Sequence, residues 1–302
     1  MKRRELLRQF AVAAGAPLLY DLMQRQVALP SHAKIRFGYA AITWDGNDEQ
    51  AIVDIASLGF RGIQLRSNTV SKYGDRPAVL RELLEQHRLT LVAFSSGNLS
   101  IDPAVEREQL ALHTRHAAFV QKLGGLYLQI IDEKPRGRVL IDADYTRLGQ
   151  LLTELGRRTA DLGIPVSYHH HIGSIGEYPD AIRRILDAAD PRYVKFQLDT
   201  AHFQQGGGDP AQAVKEYGSR LLFLHIKDVE APVPGGGKDS YRFVELGRGS
   251  VDFKRVFDAL REIDFSGWAI VELDRVPDPP RTPRESAMIS KTYLQETLGF
   301  TI

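Results

Sequence analysis

The sequence predicts an α/β chain that closes into a single (β/α)8 barrel, and three observations carry that expectation. Short runs rich in β-branched and aromatic residues alternate with helix-like stretches, which is how buried parallel strands read. The length of 302 residues and the 43% hydrophobic content suit one large core rather than two small domains. Four runs in the C-terminal two thirds each end in residues able to bind a metal: Tyr168-His169-His170-His171, Asp199-Thr200-Ala201-His202, His225-Ile226-Lys227-Asp228 and Glu272-Leu273-Asp274. In a closed parallel barrel the carboxyl ends of all strands share one face, so groups 26 to 47 residues apart in the chain can converge there.

Taken in order, the first strand is IRFGYAAI from Ile35, followed by a helix over Glu49 to Leu58, and GIQLR from Gly62 precedes a helix from Arg76 to His87. LTLVAFSS from Leu89 leads into a long helix from Pro103 to Leu123, and LYLQII from Leu126 into one from Tyr145 to Leu162. The runs IPVSY, YVKFQL, RLLFL and WAIV complete eight strands, with helices over Pro179 to Ala188, Pro210 to Tyr217, Val251 to Ile263 and Pro283 to Leu298. Asp102-Pro103, Asp209-Pro210 and Ser250-Val251 each pair an N-cap acceptor with a residue suited to the first helical turn. Asp209 is therefore expected to be a cap and not a ligand. Glycine clusters at 206–208 and 235–237 fall after strands on the proposed catalytic face. The second is followed by Lys238-Asp239, without the Ser or Thr of a phosphate-binding loop, and reads as a mobile lid or as an ordinary surface loop.

Composition excludes several classes. Lys+Arg total 39 against Asp+Glu 38, so no basic face for nucleic acid is indicated, and a small neutral or weakly charged substrate fits better. The absence of cysteine excludes disulfides, thiolate zinc sites and a cysteine nucleophile together, leaving only nitrogen and oxygen as metal ligands. Residues 1–33 differ from the rest. Arg3-Arg4, the apolar stretch from Phe10 to Tyr20 and Ser31-His32-Ala33 before Lys34 resemble a twin-arginine export signal, which implies a periplasmic location. The other reading is a basic amphipathic helix lying on a cytoplasmic domain over residues 34–302. The apolar stretch is shorter than the roughly 20 residues a membrane span needs.

Imidazole nitrogen and carboxylate oxygen together suit Mn²⁺, the favoured ion, or Co²⁺, Zn²⁺ or Fe²⁺. The expected ligands are His169, Asp199, His225 and Glu272. Five of the nine histidines lie between 169 and 225, all close to strand ends, whereas His87, His113 and His116 fall in helical segments and are given no role. His202, Lys227 and His171 would share the pocket, meeting substrate hydroxyls, shuttling a proton, or orienting a ligand through the far ring nitrogen. Asp228 reads as a salt bridge or loop cap.

The segments GYAAITW, GFRGIQLR, YHHHIG, LDTAH, LHIKD, ELGRGSVDF and SGWAIVELD resemble, in order and spacing, the sugar phosphate isomerase/epimerase superfamily of xylose isomerase-like TIM barrels. YHHHIG, DTAH and HIKD are most similar to its inosose dehydratase branch. The resemblance covers nearly all of the chain after Lys34. It implies metal ligands at Asp199, His225 and Glu272, with His169 where most members carry a glutamate. It also implies a divalent-metal-dependent sugar, ketosugar or sugar phosphate isomerase or epimerase, moving a proton next to a carbonyl through a metal-stabilised enediolate. With one of the two glutamates gone, either Glu133 substitutes or a one-base dehydration of a keto-cyclitol or 3-keto-sugar takes place. Glu272 or His171 would take the proton, and His202 or Lys227 would donate one. Arg248, where the family commonly has an acidic residue, binds substrate or faces solvent, and Trp44 stacks on a sugar face or seals the barrel mouth. The expected partner is a small carbohydrate, with no nucleic acid and no stable membrane span, and a homo-oligomer is compatible. Other functions on this fold are an apurinic endonuclease, which the charge balance disfavours, and a non-catalytic sugar-binding barrel.

Overall fold

The computed structural model describes residues 34–302, so the expectations for residues 1–33 lie outside the described residues. The strands are Ile35–Ala40 (β1), Gly62–Arg66 (β2), Thr90–Ser100 (β3), Tyr127–Glu133 (β4), Val166–His169 (β5), Val194–Asp199 (β6), Leu221–Ile226 (β7), Asp228–Glu230 (β8), Arg242–Val244 (β9) and Gly267–Val271 (β10). β1 to β7 and β10 close into an eight-stranded barrel in which every pairing is parallel. The predicted barrel is thus the observed one. β8 and β9 form a separate antiparallel ribbon that the hydrophobic pattern does not announce, since each is only three residues long. The glycines at 235–237 lie in its connecting loop.

The helices are Asp48–Ser57 (α1), Thr69–Tyr73 (α2), Pro77–Gln86 (α3), Glu106–Lys122 (α4), Asp142–Ala160 (α5), Pro179–Ala188 (α6), Thr200–Gln205 (α7), Pro210–Tyr217 (α8), Phe253–Glu262 (α9) and Pro283–Thr292 (α10). Prolines open α3, α6, α8 and α10, where a missing N–H costs nothing because the first amides have no intrahelical partner. Asp209 caps α8 as expected, accepting from the amides of Ala211 and Gln212. Two expected caps are displaced. Asp102 accepts from Ala104 N in a turn and α4 starts later, at Glu106, while α9 is capped by Asp252 and Ser250 turns its hydroxyl to Val229 O. The helix expected to run to Leu298 changes pitch after Thr292 into a π-helical turn over Tyr293–Thr297. The short helices α2 and α7 are additional, and among the described residues no helix is long and apolar enough to cross a membrane.

Alternation along the strands sorts side chains into lumen and shell. On β10, Trp268 and Ile270 point inward with Glu272 just beyond the strand, and on β7 Phe223 and His225 do the same with Lys227 beyond. The lower lumen is filled from strands alone, by Ala40, Val92, Ala93, Phe223, Trp268 and Ile270. Gly62 is required there, because a Cβ would lie 2.6 Å from the Trp268 ring, an overlap that typically costs about 1–3 kcal/mol. Above this plug sits a polar layer of buried Gln64, Gln129, Ser167 and Gln197. The metal-ligand candidates form the next layer up.

Candidate metal centre

β5, β6, β7 and β10 deliver their last inward residues to one point. Asp199 and His225 are direct register partners on β6 and β7, and Ile270, two residues before Glu272, is paired with His225. As a result His225 Nδ1 lies 3.1 Å from Glu272 Oε2 and 3.5 Å from Asp199 Oδ2. The His169 ring stands 4.9 Å from that of His225. Donor atoms of His169, Asp199, His202 and Glu272 all fall within 4.8 Å of one another. All five residues are buried, Glu272 being the most exposed at 6%.

Several of these atoms have no hydrogen-bond partner in the protein: His169 Nδ1, Asp199 Oδ2, His202 Nδ1 and His225 Nδ1. Orphaned buried donors and acceptors are rare, because each costs about 1–3 kcal/mol. A set of nitrogen and carboxylate-oxygen atoms left unsatisfied around one point has the chemistry of a divalent cation site. The other lone pairs are held in place. Asp199 Oδ1 accepts from His202 N at 2.9 Å, capping α7 and turning Oδ2 toward the centre. His225 Nε2 faces Gln64 Oε1 at 2.8 Å, so one proton sits on Nε2 and Nδ1 is turned to the two carboxylates, where an ion would take the place of a second proton. Gln64, at an inward position of β2, carries no chemical signature in the sequence; its place two residues after Gly62, on the lumen face, is the signal that finds it.

The ionisation states follow from the packing. Burial alone would lower the His225 pKa, but the carboxylates of Glu272 and Asp199 outweigh it and raise it to about 9. Burial works against the Glu272 carboxylate, yet His225 and Lys227 hold it well below the usual carboxylate range. Burial likewise opposes the Lys227 charge, and Glu272, Asp274 and Asp199 more than compensate, keeping it an ammonium. Its Nζ lies 2.6 Å from Asp274 Oδ1, 3.2 Å from Glu272 Oε2 and 3.3 Å from His202 Nε2. His202 is neutral, depressed by burial and then by the Lys227 ammonium. His169 is neutral for the first of these reasons, with His225 adding to it. Phe243, from β9, covers the pair, its ring 4.1 Å from Lys227 Nζ and 5.0 Å from the His202 ring. Asp274 and Phe243 complete the site; the sequence marks Asp274 only as one of the residues closing the fourth run, and it does not mark Phe243.

His171 leaves β5 and packs at a tilt against His202, ring centroids 3.8 Å apart and planes 43° to one another, with its Nδ1 hydrogen-bonded to Ile172 O. His170 points the other way, between Phe196 and Phe203, and accepts from Asp199 N. Asp228 is a loop cap: its two oxygens accept the amides of Val229, Gly247, Gly249 and Val251. Trp44 is 6% exposed, packs edge-on against Tyr39 and gives its indole N–H to Asp54. Arg248 faces solvent, its nearest charge being Glu245 Oε2 at 4.0 Å. Glu133 lines an adjoining cavity of about 360 Å³ together with His171.

Residues 52–293 match the family model described as xylose isomerase-like TIM barrel. Inosose dehydratase of Lacticaseibacillus casei is 28% identical, over 88% of this chain and 98% of the relative. Among solved structures, one titled as the IOLI protein with a binding zinc atom superposes with a TM-score of 0.74 at 19% identity, covering 88% of this chain and 100% of the other. L-ribulose 3-epimerase superposes at 0.72 and 16% identity, covering 88% and 94%.

Proposed function

The chain belongs to the xylose isomerase-like TIM barrel family, and from that premise we propose that it is a divalent-metal-dependent carbon–oxygen lyase. It removes the proton beside a carbonyl of a keto-cyclitol or keto-sugar and expels the β-hydroxyl as water. The observation that carries this reading is the donor set itself. Two carboxylates and imidazole nitrogens converge, Asp199 Oδ2 and one nitrogen each of His169, His202 and His225 among them lacking a hydrogen-bond partner, and Glu272 is the only glutamate in the set. An epimerase needs a base on each face of the substrate carbon, and here the groups beside Glu272 are the imidazoles and the Lys227 ammonium. Inosose dehydratase as the named activity of a relative spanning 88% of the chain points the same way.

We assign His169, Asp199, His225 and Glu272 as ligands. His202 is within reach of the same point, but its Nε2 accepts from Lys227 while Gln64 leaves His225 Nδ1 open, which favours His225. Mn²⁺ is the favoured ion, with Co²⁺, Zn²⁺ and Fe²⁺ fitting the same donors. A bound ion supplies Lewis-acid polarisation of the carbonyl, contributing several kcal/mol of charge stabilisation. The protein's own groups do the rest. Glu272, held ionised, or His171 accepts the proton from carbon. Lys227, held cationic between Glu272 and Asp274, donates hydrogen bonds to the developing oxyanion or the departing hydroxyl. His202 passes a proton on through its Nδ1. Phe243 covers Lys227 and His202 and keeps water from them. The test is a metal-loaded sample with an inosose in D2O, followed by NMR. Loss of water with formation of the unsaturated or diketone product supports the lyase; exchange of one proton with no loss of water would replace it with the isomerase or epimerase reading. For residues 1–33 we propose export, tested by whether their fusion carries a reporter to the periplasm in a twin-arginine-dependent way.

A further inference from the structure

The cavity of about 360 Å³ adjoins His171, whose ring packs at a tilt against that of His202 in the cluster with centroids 3.8 Å apart, and apart from His171 it is lined by groups to which the proposed reaction gives no role. Its cations come from the loop after β4, where Glu133-Lys134-Pro135-Arg136-Gly137-Arg138 places three cations within five residues of a chain whose formal net charge is only +1. The three are not equivalent. Arg138 is clamped by both oxygens of Asp144, at 2.6 and 2.7 Å, and so is structural. Lys134 reaches a carboxylate only at 3.9 Å, on Glu177, and Arg136 has no ion pair or hydrogen bond among the described residues. Both line the cavity.

The floor beneath them is rigid. Asp132 is buried, and accepts from Tyr168 Oη at 2.8 Å, Ser174 Oγ at 3.0 Å and the amide of Ile175. This ties the loop carrying His171 to the strand carrying Glu133, and it consumes the Asp132 oxygens. Asp132 and Glu133 formally balance Lys134 and Arg136 around the cavity, but Asp132 is held from below by its three donors, and Arg136 is left without a partner among the described residues.

We propose that this cavity recognises an anionic substituent, a carboxylate or a phosphate, on the substrate, with Arg136 and Lys134 as specificity-determining residues. The reacting carbons sit at the cluster while the oxyanion reaches past His171 to the loop after β4. An arginine fork and a lysine point charge are the usual pairing for such groups. Glu133 lies beside them and accepts from a neighbouring hydroxyl of the same ring. The proposal rests on the cluster being the reaction centre.

The test compares three probes with one ring that differ at a single carbon: glucose, glucuronate and glucose 6-phosphate, titrated by NMR against the metal-loaded full chain. One or both anionic sugars should bind about tenfold or more tightly than glucose. That ratio should shrink as salt is raised and collapse toward one in Arg136→Gln and Lys134→Gln, while Glu133→Gln should widen it. Which anion shows the advantage separates carboxylate from phosphate recognition. Equal binding of all three, no measurable binding of the anionic sugars, or an advantage that survives the Arg136→Gln/Lys134→Gln double variant would overturn the proposal, the last placing the anion on the metal instead. Inosose dehydration measured on the same preparation keeps the two readings apart. Turnover without an anion advantage defeats only the cavity assignment, and an Arg136-dependent advantage without turnover defeats only the lyase.

Discussion

Replacing Gln64 with leucine removes the acceptor that faces His225 Nε2 at 2.8 Å in a wholly buried setting. Nothing else in the described structure accepts that proton, so the variant leaves an imidazole N–H unsatisfied or frees the ring to turn, and the Nδ1 lone pair loses its aim at the ion. An unsatisfied buried donor costs about 1–3 kcal/mol, which is about 5- to 150-fold in an equilibrium constant. Loss of the partner behind a metal-bound imidazole is independently worth about 10- to 100-fold in affinity. The two estimates agree, and weakening of Mn²⁺ or Zn²⁺ binding by between one and two orders of magnitude is expected, read by competition with a chromogenic chelator. Gln64→Glu should go the other way, because a carboxylate behind the ring makes Nδ1 a better donor. Equal metal affinity in wild type and Gln64→Leu, with the barrel intact by circular dichroism, would show that His225 is not a ligand.

Other consequences are separable from this one. His225→Ala and Glu272→Gln should each lose divalent metal or turnover while keeping a cooperative melting transition; full metal content and normal activity in both would reject the ligand assignment. Lys227→Met strands Glu272 and Asp274 without their shared cation, and breaking a buried pair in this way costs about 3–5 kcal/mol, so the metal-free protein should melt several degrees lower and excess metal should restore part of the difference. Asp228→Ala releases four amides and should destabilise the barrel by about 3 kcal/mol or more without changing metal affinity, as seen in denaturant midpoints. His113 shares the Ser96 hydroxyl with His116 in the α4 interface, and burial pulls its pKa from 6.5 down to about 4. The unfolded chain therefore takes up a proton first as pH falls. Stability is complete above pH 6.5 and is lost between there and about 4 by up to ~3 kcal/mol. In His113→Gln that part of the pH dependence should vanish, and an unchanged acid profile would locate it elsewhere.

The barrel and the convergence of histidines and carboxylates at its mouth are legible in the sequence for one physical reason. Buried parallel strands must be continuous apolar runs, so polar residues at their ends stand out, and closure gathers them whatever their separation in the chain. His169, Asp199, His225 and Glu272 were visible on that basis, and so were His202 and Lys227 beside them. What the sequence does not mark lacks either length or chemical distinction. β8 and β9 are three residues each, held by register with one another more than by any hydrophobic period, so the Phe243 lid over Lys227 is a tertiary fact. Gln64 sits inside a strand with no titratable neighbour, and only the inward parity of Gly62 marks it. Trp44 illustrates the reverse case, an aromatic at a strand end that suggests sugar stacking but whose N–H is taken by Asp54, ten residues along. Helix starts slipped where two acceptors competed, Ser250 losing to Asp252 because its hydroxyl has Val229 O within reach.

The most direct measurement is the metal content of the purified chain after exhaustive chelation and reloading, by elemental analysis on wild type and on Asp199→Asn/His225→Ala. One divalent ion per wild-type chain, with none retained by the double variant at the same melting temperature, is the expected result. A wild-type chain that holds no ion yet dehydrates an inosose, or a double variant that holds its ion as firmly as before, would contradict the claim that these residues form one cation site.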